Sequence, residues 1–196
     1  PSYYEFSFPV KIISGHTALN NLPAELIQSN VQRPLIVSDP GVTKAGLAKI
    51  VIDAFAESGL TIGALYDQVP PESSTLVVNQ LAALYREREC DTIIAIGGGS
   101  VIDTAKGINI LVSLGGSDVR NYRGAETLPG PLRPFFVAPT TAGTGSEVTN
   151  SAVIADPEKG VKMLFVSEYL MPRAAFIDSR MTLTLPPKLT AATGMD

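Results

Sequence analysis

The chain has 196 residues and a formal net charge of −4 at pH 7, and 45% of its residues are hydrophobic against 17% that are charged. This length and composition predict one large domain with a sizeable core. The lack of a basic run argues against nucleic-acid binding, no apolar stretch reaches the roughly 18 residues of a membrane span, and one cysteine, Cys90, favours a reducing, cytoplasmic location without disulfides.

Strand-like and helix-like segments alternate through the first half of the chain. Pro1–Val10 lacks the basic and apolar regions of a signal peptide. Tyr3–Ile13 is rich in aromatic and β-branched residues, and its Pro9 suits an edge strand or a bulge. Apolar spacing predicts helices at Thr17–Gln28, at Thr43–Ser58 with Gly59 as its C-cap, and after Ser73 or Ser74. Short β-branched runs predict strands at Leu35–Ser38 and Thr61–Tyr66. This alternation predicts an α/β fold: a Rossmann-like parallel sheet with helices on both faces.

A run of glycines follows the next predicted strand. Thr92–Ile96 is wholly apolar or β-branched, Gly97–Gly99 comes next, and Ser100 and Asp103 stand at the spacing of an N-cap and a capping box. Glycines permit a sharp turn and the close approach of an anion, and a helix N-terminus presents free N–H groups to it. We therefore predict a phosphate site here, with a plain strand-to-helix turn as the alternative.

Asp39 ends an earlier predicted strand, at the edge where ligands of parallel sheets bind. Its carboxylate can accept two hydrogen bonds from a ribose diol and would repel a 2′-phosphate, so it favours NAD over NADP. Because Asp39-Pro40-Gly41 precedes a helix, Asp39 is also a candidate N-cap, and one carboxylate can fill both roles.

The second half of the chain predicts a long loop at Gly115–Pro134 and a strand at Phe135–Ala138. The next segment, Thr140–Glu147, contains four hydroxyl side chains and two glycines. A polar turn would explain this composition, but its position at a strand end favours a second phosphate or ribose contact. The remaining elements are a β-hairpin formed by Val148–Ile154 and Val161–Val166, a final strand at Ala174–Ile177, and a helix that begins at Pro186-Pro187.

Four further side chains have ordinary structural explanations. Lys162 lies on the predicted hairpin, where it is either a solvated strand lysine or a cation near the ligand. Lys106 is expected to be solvated, and His16 to be an ordinary surface or capping residue. Cys90 follows a helix and precedes Asp91, whose carboxylate raises a thiol pKa, so we expect no reactive thiol.

Three motifs occur in a specific order. They are Gly97–Ser100 with Asp103 and Lys106, the segment Pro-Thr-Thr-Ala-Gly-Thr-Gly-Ser-Glu at 139–147, and Leu-Pro-Pro at 185–187 followed by Ala-Ala-Thr-Gly-Met-Asp at 191–196. Together they resemble the iron-dependent (group III) alcohol dehydrogenases over essentially the whole chain. That family shares a fold with glycerol dehydrogenase and dehydroquinate synthase, so the resemblance implies a dehydroquinate synthase-like fold.

The resemblance implies a dinucleotide-binding domain over residues 1–185. Residues 186–196 would begin the first helix of an all-helical metal-binding domain that is otherwise absent. The implied cofactor contacts are Asp39, Gly97, Gly98, Gly99, Ser100, Thr140, Thr141, Thr144, Ser146, Lys162, Thr182 and Leu183. Asp196 matches the first ligand of an Fe²⁺ or Zn²⁺ site that three histidines of the helical domain complete. One departure is Pro71, where the family often has Asn.

The implied reaction is hydride transfer between NAD and a primary alcohol or aldehyde in a metal-dependent, homo-oligomeric enzyme, dimeric or larger. Because three metal ligands are missing, we expect the 196 residues alone to bind NAD weakly and to be inactive. Two alternatives are a glycerol dehydrogenase or dehydroquinate synthase-like enzyme, and a non-catalytic nucleotide-binding module.

Overall fold

The structure, a computed structural model, describes residues 8–195. The strands are β1 (Lys11–Gly15), β2 (Pro34–Ser38), β3 (Ala64–Tyr66), β4 (Thr92–Gly97), β5 (Gly124–Ala125), β6 (Phe135–Pro139), β7 (Ser151–Asp156), β8 (Val161–Val166) and β9 (Ala174–Asp178). The helices are α1 (Leu22–Gln28), α2 (Pro40–Lys44), α3 (Leu47–Ala54), α4 (Thr75–Glu87), α5 (Gly99–Leu114) and α6 (Pro187–Gly194). Six strands form a parallel sheet in the order β1-β9-β6-β4-β2-β3.

The central strands are buried on both faces of this sheet. Alternate residues of a strand point to opposite faces. Ile93 packs into a core shared with α4 and α5, whereas its neighbour Ile94 packs into a second core shared with α1 and α3. Both residues are about 1% exposed. Burial on both faces explains why the strand sequences are continuously apolar, and it confirms the predicted α/β class.

The helix predicted at Thr43–Ser58 is replaced by two shorter helices, α2 and α3. Gly46 has φ +76°, a left-handed conformation that interrupts the helix between α2 and α3. The second of these helices ends at Ala54, so the prediction that Gly59 is its C-cap was wrong. Of the two serines proposed to cap α4, Ser74 is the N-cap and accepts a hydrogen bond from the backbone N–H of Val77.

The helix after the glycine turn begins earlier than expected. Gly98 is the N-cap in an extended conformation and α5 starts at Gly99, so the prediction that Ser100 is the cap was wrong. Ser100 lies in the first turn, where its hydroxyl donates to the Pro71 carbonyl at 2.6 Å. Asp103 is not part of a capping box, since its Oδ2 accepts from the N–H of Val153. Because the N-cap residue Gly98 has no side chain, the first turn of α5 lacks a capping hydrogen bond from its N-cap.

The predicted hairpin is confirmed and belongs to a second sheet. Strands β7 and β8 are antiparallel, and the short strand β5, from the predicted long loop, pairs in parallel with β8. The inward side chains Ala152, Ile154, Met163 and Phe165 belong to the core that contains α4 and α5. The hairpin therefore lies over α5 rather than extending the main sheet. Within the described part of the chain, no helix has the length and apolar character to cross a membrane.

Candidate functional site

A cleft of about 990 Å³ opens at the carboxyl ends of the central strands. The chain leaves β2 toward β3 on one side, and it leaves β4 toward β6 on the other. This reversal of strand order is the place where ligands of doubly wound sheets bind. The predicted contacts that line the cleft are Asp39, Gly98, Gly99, Ser100, Thr140, Thr141 and Thr144. The fold therefore brings together predicted residues that follow three different strands, β2, β4 and β6.

The glycine turn is covered closely by the loop after β6. A Cβ on Gly97 would lie 2.5 Å from Cγ2 of Val101, in the first turn of α5, so the turn itself requires glycine there. A Cβ on Gly98 would lie 3.2 Å from Oγ1 of Thr141, and one on Gly99 would lie 3.1 Å from Oγ1 of Thr144. Bare backbone, threonine hydroxyls and an uncapped helix N-terminus thus face the same space. This set of donors suits the phosphates of a dinucleotide.

Asp39 is half-buried, caps α2 and also lines the cleft. Its Oδ1 accepts a hydrogen bond from the N–H of Val42 at 3.0 Å, so it is the N-cap of α2. The residue also lines the cleft, across from the glycine turn. A carboxylate held in this way presents a fixed negative charge to a ligand lying along the strand ends.

A second, smaller cavity of about 400 Å³ adjoins the cleft. The two share Pro71, Gly99, Ser100 and Thr144. Two of the predicted cofactor contacts, Ser146 and Lys162, line this cavity rather than the cleft. The ammonium of Lys162 forms a 2.8 Å ion pair with Glu72, and both side chains are more than half exposed. The two spaces meet at the first turn of α5, where Gly99 and Ser100 line both.

The far wall of the cleft differs from the prediction. The lining of the cleft includes Thr184, Leu185 and Leu189 but neither Thr182 nor Leu183. Leu183 is 73% exposed. Sequence reasoning missed Leu189 because it lies on α6, a helix with no buried residues, whose apolar spacing predicts no docking partner.

Two charged residues of α5 differ in exposure: Asp103 is partly buried, and Lys106, expected to be solvated, is not. Lys106 is fully buried, not solvated, and burial lowers the pKa of its ammonium to about 8. Burial raises the pKa of the neighbouring Asp103 carboxyl. The sequence contained no local sign of this, because the groups that satisfy Lys106 lie more than 40 residues away along the chain.

His16 and Cys90 are placed as the sequence suggested. His16 is exposed, and its Nδ1 lies 2.9 Å from Oγ of Ser179. Cys90 is buried, and burial raises the pKa of its thiol to about 11, which keeps it protonated and unreactive near neutral pH.

The pattern of the family described as iron-containing alcohol dehydrogenase matches residues 9–179. The chain belongs to this family. It is 42% identical over 183 residues to 4-hydroxybutyrate dehydrogenase of Cupriavidus necator, a match that covers 91% of this chain and 47% of that protein. The chain spans about half the length of the curated relatives it matches.

Solved structures of the family have the same fold over the same half. A 1,3-propanediol oxidoreductase superposes with a TM-score of 0.92 at 34% identity, covering 99% of this chain and 50% of that one. Sulfoacetaldehyde reductase from Bifidobacterium kashiwanohense, solved in complex with NAD⁺, superposes with a TM-score of 0.87 at 28% identity, covering 99% of this chain and 51% of that one. These matches confirm the Rossmann-like architecture.

The metal implied by the family does not fit the described residues. Asp196, the one matched ligand, lies outside them. Among residues 8–195, no three His, Cys, Asp or Glu side chains are grouped so that they could hold a metal ion. No chemical step at a metal can therefore be derived from this part of the chain.

The contact between the threonine-rich loop and α6 is tight enough to test. A Cβ on Gly143 would collide with the backbone carbonyl of Thr193, a residue that lines the cleft. Because backbone cannot rotate away, Gly143→Ala is expected to displace α6 and weaken NAD binding about tenfold, on the order of 1.4 kcal/mol. Isothermal titration checks this, with Gly130→Ala as the control because a Cβ there meets no atom within 4 Å. Equal affinity in Gly143→Ala and the wild type would show that α6 is not part of the site.

Proposed function

We propose that this chain is the NAD-binding portion of an iron-type alcohol dehydrogenase, which transfers hydride between a primary alcohol or aldehyde and NAD. The observation that carries the proposal is the uncapped, glycine-lined N-terminus of α5, which opens into a cleft at the switch point of the sheet. Family membership and the NAD⁺ complex of a similar enzyme support it. A cytoplasmic location and a homo-oligomeric state are part of the same proposal.

The residues of this chain bind and orient the cofactor. Backbone N–H groups of Gly99 and Ser100 would donate to the pyrophosphate, where the positive end of the α5 dipole favours negative charge. The hydroxyls of Thr141 and Thr144, which face the same turn, would add donors from the opposite side. When bound, NAD supplies the carbon that accepts or donates the hydride. The protein supplies the geometry that holds it in place.

The adenosine end of NAD would lie toward Asp39, and the other end toward the smaller cavity. Asp39 can accept from the adenine ribose diol while Val42 donates to it. The smaller cavity, with Ser146 and Lys162, continues beyond the first turn of α5. Lys162 would exchange its ion pair with Glu72 for a contact with the second ribose.

No cluster of His, Cys, Asp or Glu among residues 8–195 could hold the metal that the family implies, and we propose that the 196-residue chain binds NAD without turning over alcohol. Titration with NAD and an assay for NADH formation from primary alcohols, with ferrous or zinc ion added, test the two parts separately. Saturable NAD binding without turnover is expected. Absence of NAD binding contradicts the assignment of the cleft. Turnover with stoichiometric bound metal would show that the chain completes a metal site and that the proposed inactivity is wrong.

A further inference from the structure

Strand β7 lies at the edge of the second sheet, whose order is β5-β8-β7. An edge strand leaves alternate backbone groups unpaired on its outer side. In β7 the backbone groups on the outer side belong to Ser151, Val153 and Ala155. The backbone groups of the residues between them pair with β8. Hydrogen bonds to these outer groups tie the edge of the sheet to the elements beside it and so help to determine where the hairpin lies.

The partners come mainly from two side chains of α5. Lys106 Nζ donates to the carbonyls of Thr149 at 2.8 Å and of Ser151 at 2.7 Å. One turn earlier, Asp103 Oδ2 accepts from the N–H of Val153 at 3.0 Å. The N–H of Ala155 donates to the Ser73 carbonyl just before α4. We call the hydrogen bonds of Lys106 and Asp103 to this segment the edge contacts.

Lys106 has no donor left for a ligand. An ammonium has three N–H groups. Nζ lies within hydrogen-bond distance of three oxygens, the third being Oγ1 of Thr149 at 3.2 Å. The residue is also fully buried. A direct contact with a phosphate would require Lys106 to give up its hydrogen bonds to the carbonyls of Thr149 and Ser151.

The strand held by the edge contacts forms a wall of the ligand site. Ser151 and Val153 of β7 and Lys162 of β8 line the smaller cavity. Gly99, Ser100 and Asp103 of α5 line it as well, whereas Lys106 does not. The distance between β7 and α5 therefore sets the width of this cavity. The edge contacts span that distance directly.

We propose that Lys106 and Asp103 are positioning residues, which hold β7 against α5 and so fix the wall of the smaller cavity against which the cofactor binds. This inference rests on the proposed NAD binding for its functional consequence. It differs from direct ligand binding, because it requires the hairpin to move when the edge contacts are lost.

The test is Lys106→Met, measured by hydrogen exchange without nucleotide and by NAD titration. We expect exchange of the amides of residues 151–156 to accelerate at least about tenfold, because the carbonyls of Thr149 and Ser151 lose the donor that ties the start of the strand to α5. NAD affinity should fall at least about tenfold. Leu26→Ala is the control, since Leu26 is fully buried in the core on the opposite face of the main sheet. It should lower the melting temperature while changing NAD affinity less than about twofold.

Asp103 provides a second test with a conservative rescue. Asp103→Ala removes the acceptor for the N–H of Val153 and should accelerate exchange of that amide. Asp103→Asn keeps an oxygen of the same shape in place and should restore the protection. If the Val153 amide exchanges equally fast in Asp103→Ala and Asp103→Asn, the charge of Asp103 and not its edge contact holds the strand, and the inference is wrong for Asp103.

Two results for Lys106→Met would overturn the inference. One is loss of NAD binding with unchanged exchange of the hairpin, which would mean that Lys106 acts on the nucleotide directly. The other is a loosened hairpin with unchanged NAD affinity. Should Lys106→Met fail to fold, the Asp103 variants decide by exchange of the hairpin: because Asp103 itself lines the cavity, an affinity loss supports the inference only when the Val153 amide is deprotected as well. A wild-type chain that does not bind NAD overturns the proposed function, and the exchange data alone then uphold or overturn the edge contacts.

Discussion

Replacing Gly98 by valine is expected to raise the Kd for NAD at least about a hundredfold, or about 2.8 kcal/mol. A Cβ at this position would already lie 3.2 Å from Thr141 Oγ1, and valine adds two methyl groups to the same space. Those methyls would occupy the position from which a pyrophosphate receives the N–H groups of α5. The fold should survive, because Gly98 has φ −84° and ψ −167°, which β-branched residues adopt readily.

The matched control for this variant is Gly130→Val. Gly130 lies in a loop where a Cβ meets no atom within 4 Å, so the same substitution there should leave NAD affinity unchanged. Circular dichroism verifies that both variants are folded, and isothermal titration gives the affinities. A folded Gly98→Val chain that binds NAD as well as the wild type would place the pyrophosphate elsewhere.

The arrangement of the fold was predictable because its strands carry a local pattern. Thr92–Gly97 and Phe135–Pro139 are buried along their whole lengths, so each is apolar at every position that faces a helix layer. The alternation of such runs with helical spacing then limits the topology to right-handed parallel units. The break at Gly46 was not predictable, because apolar residues recur at helical spacing on both sides of it.

The strand-end residues of the site were predictable for a related reason. Asp39 and Gly98 follow neighbouring parallel strands, and parallel strands end at the same edge of a sheet. Lys162 was harder to place, because it lies on an antiparallel hairpin in a different sheet. Lys162 lines the smaller cavity because of the way that the hairpin packs over α5, and residue spacing in the sequence does not specify that packing.

The burial of Lys106 illustrates the limit of local reasoning. A lysine on the first turns of a helix is normally solvated. This one is buried because the carbonyls of Thr149 and Ser151, 43 and 45 residues later, converge on its ammonium. Only the packing of the second sheet on α5 brings these groups together.

Asp39→Asn is expected to shift the ratio of NAD to NADP affinity toward NADP by about ten- to a hundredfold, or about 1.4–2.8 kcal/mol. The carboxylate lines the cleft, so a 2′-phosphate on the adenine ribose would lie near a like charge, which costs several kcal/mol at close range. The amide of asparagine removes that charge and can still accept from the N–H of Val42, so α2 keeps its cap. Titration with both nucleotides measures the ratio.

Two further measurements show whether the charge or the shape of Asp39 causes this nucleotide preference: titration of Asp39→Gly, and titration of the wild type at different salt concentrations. Asp39→Gly removes the side chain, and glycine at an N-cap lowers stability by only about a few tenths of a kcal/mol. The ratio of NAD to NADP affinity of this variant should therefore shift at least as far as that of Asp39→Asn. If repulsion sets the ratio, the wild-type preference for NAD should narrow as salt rises, because Asp39 is only half-buried and ions screen its charge. The Asn variant should show a much weaker dependence on salt. Equal ratios in all three proteins would mean that Asp39 serves α2 alone, and that the groups which select the nucleotide lie elsewhere in the cleft.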